Sequence, residues 1–476
     1  MDILYAASEA QPFIGTGGLA DVAGALPKQL CEFGHNARVV LPLYSKISPE
    51  LRENLRFICS FDVPVGWRQK YCGVFEAKVD GVTYYLLDNE EYFCRAFSNG
   101  IFGEYDACEQ FAFFSRAVIE MLAHIDWQPQ VINCNDWQTA LTPVYLQIFY
   151  KHLPIFENIK TVFTIHNIQY QGKYGTEVID EVMGIPSYYI NLLMYDGCVN
   201  MMKAAFETSD KITTVSPSYA WEILDPWYSH GLDRALNNKQ YKLTGFLNGI
   251  DIDLYNPETD SMIAKNFSAK DLSGKAACKK ALIEELKLAP GDEPIIGIVT
   301  RFVSHKGVDL IRTVFEEMVG DGCKFVVLGS GDKMYEDFFR EMAYRYPDKV
   351  SVTIGFIPSL AKRIYASADM FLMPSQSEPC GLAQMISLRY GTIPIVRETG
   401  GLRDSIIDAG SPESGGNGFT FKTYNAHDML DAVRRAHALY NDRGNWQKLM
   451  VYAMGCDNSW AKSAELYQGL YRELVG

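Results

Sequence analysis

The 476-residue chain has no apolar run approaching the ~18 residues that a membrane-spanning helix needs. Its start, Met1-Asp2-Ile3-Leu4-Tyr5-Ala6-Ala7, carries no Lys or Arg ahead of the apolar stretch. A secretory leader needs that charge, so the segment reads as the first strand of a fold. Cysteine is present but unpatterned: 11 residues lie singly from Cys31 to Cys456, with no C-x-x-C pair and no Cys/His ligand cluster. That speaks against disulfides and structural zinc, and for reduced thiols in a cytoplasmic setting. A basic surplus is lacking as well. The 44 Lys and Arg face 58 Asp and Glu, a formal charge of −14. Nucleic acid and anionic membrane are therefore set aside as partners, although a locally basic pocket for a small anion is not. Heptads and low-complexity tracts are missing. The cluster Gly15-Thr16-Gly17-Gly18 lacks the G-x-G-x-x-G spacing of a dinucleotide site, which argues against a dehydrogenase. Asp251-Ile252-Asp253 spells D-x-D, but it follows the turn dipeptide Asn248-Gly249 rather than a core strand, so no metal is assigned.

What is present is an ordinary globular balance, 48% hydrophobic and 21% charged, in a chain too long for one core. Short apolar runs alternate with stretches of helical length. Strands are expected at Ile3–Ala7, Ala37–Leu43, Val82–Leu87, Val131–Cys134, Thr161–Ile165 and Ile212–Val215. In the second half they fall at Ile295–Thr300, Phe325–Leu328, Val350–Ile354, Met370–Met373 and Ile393–Val396. Helical stripes mark Asp106–Leu122, Lys275–Leu288 and Trp460–Leu474. Such alternation implies an α/β chain of two doubly wound parallel-sheet domains. The expected division is 1–243, 244–455 and a terminal helix within 456–476. Thr16-Gly17-Gly18-Leu19-Ala20-Asp21 is echoed by Thr399-Gly400-Gly401-Leu402-Arg403-Asp404, as two similar domains with glycine-opened helices would produce.

Parallel sheets bind ligands beyond the carboxyl ends of their strands. Those positions carry Gly17-Gly18, Asp136-Trp137, His166-Asn167, Arg301 with Lys306, Phe356 and Ser375–Gly381. A strand-end Arg and a Lys five residues on can both reach one pyrophosphate, although such a pair also suits a solvated loop. Glu378, fixed before Pro379 and followed by Gly381, suits sugar hydroxyls or a helix cap. His166 suits a site or a satisfied strand end, and Trp137 a sugar face or the core.

The ordered set Thr16–Pro27, Asn135–Trp137, Thr164–Gly172, Thr214–Ala220, Leu247–Asp251, Asn256–Asp260, His305–Ile311, Met373–Gln384, Leu388–Asp404 and Ser459-Trp460 resembles the glycogen and starch synthases of glycosyltransferase family 5. It spans nearly the whole chain. The resemblance implies a GT-B fold, two Rossmann-like domains facing a deep cleft, with the last helix crossing back to the first domain. It implies transfer of glucose from ADP-glucose to the non-reducing 4-OH of an α-1,4-glucan, with retention and without a cofactor or metal. Arg301 and Lys306 would neutralise the leaving diphosphate, Glu378 would serve the glucose, and His166 would line the glucose site. Asp136 and Trp137 would line the donor or acceptor side. Gly18, Gly381 and Leu382 would offer amides to phosphate, and Phe356 would meet the adenine. Gly17, Asp21, Asn167, Asn248 and Cys380 complete the expected substrate-binding set. Where the family commonly has Lys, His, Arg and Thr, this chain has Gly15, Gln138, Gln376 and Ala383. These departures leave open a UDP-glucose donor, a small acceptor, or a weakly catalytic paralogue that binds glucan or nucleotide-sugar.

Overall fold

The computed structural model describes residues 1–95, 101–102, 105–410 and 415–476. They divide into one unit of Met1–Val215, Ala220–Phe246 and Trp460–Gly476, and a second of Ser216–Tyr219 and Leu247–Ser459.

In the first unit the apolar runs form β1 (Asp2–Ala6), β2 (Asn36–Pro42), β5 (Val82–Asp88), β6 (Val131–Asn135), β7 (Lys160–Ile165) and β11 (Lys211–Thr214), each within a residue or two of expectation. These strands pair in parallel. The sequence did not announce β3 (Arg56–Val65) and β4 (Arg68–Val79), an antiparallel hairpin added beyond β5, nor β12 (Leu243–Gly245) at the opposite edge. Two residues, Gly66-Trp67, join β3 to β4, a connection too short for the crossover that parallel pairing demands. Interspersed Arg56, Asp62, Lys70 and Glu76 keep the hairpin from reading as an apolar run. The nine strands run β12-β11-β7-β6-β1-β2-β5-β4-β3, and β8 (Lys173–Tyr174), β9 (Met194–Tyr195) and β10 (Cys198–Asn200) form a small separate sheet.

The helix Ala107–Leu122 starts one residue later than its stripe implied, and it is apolar and buried over most of its surface, with Phe111, Phe113 and Phe114 fully enclosed. Each such ring contributes about 1.5–3 kcal/mol by leaving water. The last helix, Trp460–Val475, belongs to this unit, where it packs on the helix Gly18–Glu32 and buries Tyr467 and Tyr471. Its apolar stripe showed that it must dock and left the place open.

The second unit holds β13 (Ile295–Val299), β14 (Lys324–Gly329), β15 (Val350–Ile354), β16 (Met370–Met373), β17 (Ile393–Arg397) and β18 (Phe419–Phe421), all parallel, in the order β15-β14-β13-β16-β17-β18. Ile296, Phe315, Phe325, Met370 and Ile393 anchor its main core. The helix expected at Lys275–Leu288 runs Ser273–Glu285. Its Lys275 is buried rather than solvated, donating to the Tyr390 carbonyl at 2.9 Å and the Thr392 hydroxyl at 2.7 Å.

Each sheet reverses its winding once, between β1 and β6 and between β13 and β16. A crevice opens at such a reversal because the connecting helices leave to opposite faces.

Candidate active site

In the first unit, three neighbouring strands deliver the expected residues to one edge. After β1 the chain turns through Glu9 to Gly17 and Gly18, the start of the helix Gly18–Glu32. Glu9 is buried and accepts from the Thr16 amide at 2.6 Å and the Thr16 hydroxyl at 2.7 Å, which fixes the turn. Burial raises its pKa, and these bonds partly offset the rise. No side chain caps the helix. A methyl group on Gly18 would meet nothing within 4 Å, so there is open space beside the start of the helix. Asp21 lies exposed in the first turn.

After β6, Asp136 takes the backbone angles φ 55°, ψ −178°, a region that non-glycine residues avoid at a cost of about 1–3 kcal/mol. Its Oδ1 accepts from the His166 amide at 2.8 Å and the Asn167 amide at 3.3 Å, joining the ends of β6 and β7. Burial pushes its pKa up to about 7, the two amides pull it down, and the nearby Glu9 charge raises it further. The His166 ring bonds through Nε2 to Asn135 Oδ1 at 2.9 Å, and burial lowers its pKa to about 3, so it is neutral. Trp137 packs edge-on to Phe111 at 5.1 Å and lines a recess of about 450 Å³ with Tyr170, Gly172, Lys173, Tyr174 and His230. Asn167 closes a turn, its Oδ1 accepting from the Gln169 amide at 3.0 Å.

In the second unit, β13 and β16 are neighbours, and the segments that follow them bring Lys306 to Glu378. Lys306 Nζ donates to Glu378 Oε2 at 2.6 Å, and Ser375 Oγ donates to the same oxygen at 3.0 Å. The pair is mostly enclosed, with side-chain exposures of 16% and 9%. Glu378 therefore does not cap a helix. Two glycines hold the arrangement. Gly307, at φ 73°, comes so close to Pro374 that a Cβ would stand 2.1 Å from its carbonyl oxygen. Gly400 supports the Glu378 carbonyl in the same way, and Gly401 donates its amide to that carbonyl at 3.1 Å. The two TGGL segments thus differ: the first leaves its glycines open, and the second presses them against the Glu378–Cys380 backbone.

Arg301 is exposed, and its side chain makes no ion pair or hydrogen bond with the described residues. Phe356 follows β15 and is 88% exposed. Cys380 is buried, which pushes its thiol up to about 12. Gly381 adopts φ 68°, Leu382 precedes the helix Ala383–Arg389, and Asn248 is buried with its Oδ1 unpartnered among the described residues. Asp251 Oδ1 accepts from the Asp253 and Leu254 amides at 3.0 and 2.9 Å, so that D-x-D builds a turn. Among the described residues no group of three His, Cys, Asp or Glu side chains is placed to hold a metal.

Sequence reasoning gave no individual role to Ser375, Gly307 or Gly400. A glycine directly after Lys306, and a serine three residues before Glu378, were the available signals. The departures also acquire surroundings. A Cβ on Gly15 would stand 2.8 Å from Gln11 Nε2 and 2.9 Å from Ala20 Cβ, so a larger residue here requires those side chains to shift. Gln138 is buried, and Arg397 donates to the Gln376 carbonyl at 2.8 Å, bringing a cation to the place where one was missing.

Residues 2–238 match the starch synthase catalytic domain model, and residues 280–448 match glycosyl transferases group 1. The glycogen synthase of Clostridium acetobutylicum is 48% identical over 481 aligned positions, covering all of both chains. That of Clostridium perfringens is 49% identical, covering 99% of this chain and 98% of its own. Among solved structures, the catalytic domain of Starch Synthase IV from Arabidopsis thaliana, bound to ADP and acarbose, superposes with a TM-score of 0.91 at 33% identity, covering 100% of this chain and 99% of that one. Sucrose-phosphate synthase from Thermosynechococcus elongatus, at 17% identity and a TM-score of 0.63 over 99% of this chain and 98% of that one, shares the fold alone. The two Rossmann-like units are those of the GT-B fold, and the chain belongs to the glycogen and starch synthase family of glucosyltransferases.

Proposed function

We propose that this chain transfers glucose from ADP-glucose to the non-reducing 4-OH end of an α-1,4-glucan, with retention at the anomeric carbon. The observation that carries the reading is the Lys306–Glu378 pair at the winding reversal of the second unit, with Arg301 unengaged on the preceding strand end. Diphosphate departure builds negative charge, and fixed cations stabilise it where it develops. Arg301 and Lys306 take that role in the second unit, with the Gly381 and Leu382 amides offered to phosphate oxygens and Asn248 and Cys380 beside them. In the first unit, considered by itself, the Gly18 amide suits an anion, with Gly17 and Asp21 in the same segment. Glu378 keeps Oε1 for the glucose, since Lys306 and Ser375 both bind its Oε2. Phe356 offers an exposed ring face to the adenine. His166 and Asn167 serve the sugar being moved, and Asp136 holds their amides. Trp137 and its recess suit an α-glucan acceptor, because an aromatic face covers the apolar side of a glucose ring. The acceptor hydroxyl attacks on the face from which the diphosphate leaves. The relatives' description as glycogen synthases, and the ADP and acarbose bound by the plant enzyme, support the same assignment.

Eleven free thiols and the absence, among the described residues, of any helix long and apolar enough to cross a membrane fit work in the cytoplasm. Donor choice tests the reading. Labelled glucose is expected to enter glycogen from ADP-glucose, with UDP-glucose a poor substitute. Incorporation from UDP-glucose alone would refute the donor assignment and keep the transferase.

A further inference from the structure

His166 is one end of a hydrogen-bonded chain that reaches the last helix. Tyr471 of that helix donates its hydroxyl to Asn133 Oδ1 at 2.9 Å. Asn133 Nδ2 donates to Thr164 Oγ1 at 2.9 Å and approaches Asn135 Oδ1 at 3.4 Å. Asn135 Nδ2 donates to the carbonyls of Ala6 at 2.9 Å and Asn133 at 3.2 Å. Asn135 Oδ1 then meets His166 Nε2 at 2.9 Å. Tyr471, Asn133 and Asn135 are all fully buried.

This wiring has a direction. An amide nitrogen facing two carbonyls has to be the donor end of Asn135, so its oxygen is the acceptor. The imidazole nitrogen opposite that oxygen then carries the proton. Histidine tautomers are set by the partner of one nitrogen, which decides what the other offers. His166 Nδ1 has no hydrogen-bond partner among the described residues, and the ring is only partly enclosed.

We propose that Asn135 is a positioning residue for His166, steadied through Asn133 by Tyr471, and that it holds the ring as the Nε2–H tautomer with the Nδ1 lone pair presented to a sugar hydroxyl. Docking of the last helix thereby bears on the geometry of the sugar site inside the first unit. The second half of the inference rests on the reading of His166 as a sugar contact; the tautomer does not. A hydroxyl that donates to Nδ1 keeps its own oxygen as an acceptor, so the site selects a hydroxyl over a hydrogen or a methoxy group there.

The experiment uses the full chain with ¹⁵N-labelled histidine, His166→Gln identifying the signals of that ring. The nitrogen shifts of the wild type are expected to report Nε2 protonated and Nδ1 bare. Asn135→Leu is expected to lose that single pattern and to lower kcat/KM by roughly ten- to hundredfold, the scale of an ångström-level misplacement. Tyr471→Phe keeps the ring in its packing and removes only the hydroxyl. It is expected to broaden or mix the tautomer signals and lower kcat/KM by a smaller factor, and it stands in should Asn135→Leu fail to fold. Wild-type signals showing Nδ1–H, or a tautomer indifferent to both substitutions, would overturn the proposal. Full activity in His166→Gln together with the expected wild-type tautomer would uphold the lock and remove the sugar contact.

Discussion

Replacing Gly400 by alanine sets the geometry of the Glu378 loop against a single methyl group. That Cβ would stand 2.0 Å from the Glu378 carbonyl oxygen and 2.9 Å from its carbon, where ordinary contact begins near 3.4 Å. The peptide must therefore retreat by more than an ångström or the helix Gly400–Ser405 must shift away. The backbone at φ 43° adds about 1–2 kcal/mol for a residue with a side chain. Crowding adds about 1–3 kcal/mol, for a total of roughly 2–5 kcal/mol. In a unit of this size that lowers Tm by roughly 4–20 °C. A carboxylate displaced by about 1 Å should also lower kcat/KM about a hundredfold. The control is Gly18→Ala in the first TGGL segment, where nothing lies within 4 Å. Its stability is expected to stay within about 0.5 kcal/mol, while KM for the nucleotide-sugar rises because the methyl fills the space before the helix amides. Thermal unfolding and initial rates on both variants separate the two. Wild-type stability and kcat/KM in Gly400→Ala, or loss of fold in Gly18→Ala, would refute the reasoning.

Asp136 has a folded pKa near 7, above the usual carboxylate range. Its contribution to stability is therefore complete below about pH 4 and is lost as pH rises through about 7. Asp136→Asn is expected to be more stable than wild type at pH 8, with the difference closing as pH falls toward 4. Denaturant titrations across that range check it, and a difference independent of pH would contradict it. Phe356→Ala removes a ring that is 88% exposed, so Tm should not move. If the ring stacks on a base, worth about 1–3 kcal/mol, KM for ADP-glucose rises roughly tenfold or more with kcat preserved; unchanged KM would remove Phe356 from the site.

Most parallel strands were legible because they are largely buried and read as short apolar runs, whereas the parallel edge strands β12 and β18, three residues each, are too short to stand out. The β3–β4 hairpin was not legible either, since its charged residues interrupt the pattern and only its short turn, Gly66-Trp67, hints at it. Arg301, Lys306 and Glu378 could be placed at strand ends from the sequence. Their partnership could not, because Lys306 and Glu378 lie 72 residues apart and meet only through the adjacency of β13 and β16. The echo of TGGL correctly marked two glycine-opened helices and did not reveal how each uses its glycines. Glycine is used once to leave room and once to permit contact, and the letters are the same. Lys275 was hidden for a similar reason, since a lysine among lysines reads as solvated until helix-end carbonyls are found around it. Asn135 looked like the end of a strand, and its importance rests on which way its amide faces.

The most direct test is incorporation of labelled glucose from ADP-glucose into glycogen by the wild type, Lys306→Ala and Glu378→Ala. Each variant removes one side of the pair that faces the developing charge, and losses of about a hundredfold or more are expected, with glycogen binding intact. Either variant keeping wild-type incorporation, or a wild type that binds glycogen without extending it, would contradict the assignment of the Lys306–Glu378 pair as the centre of the reaction.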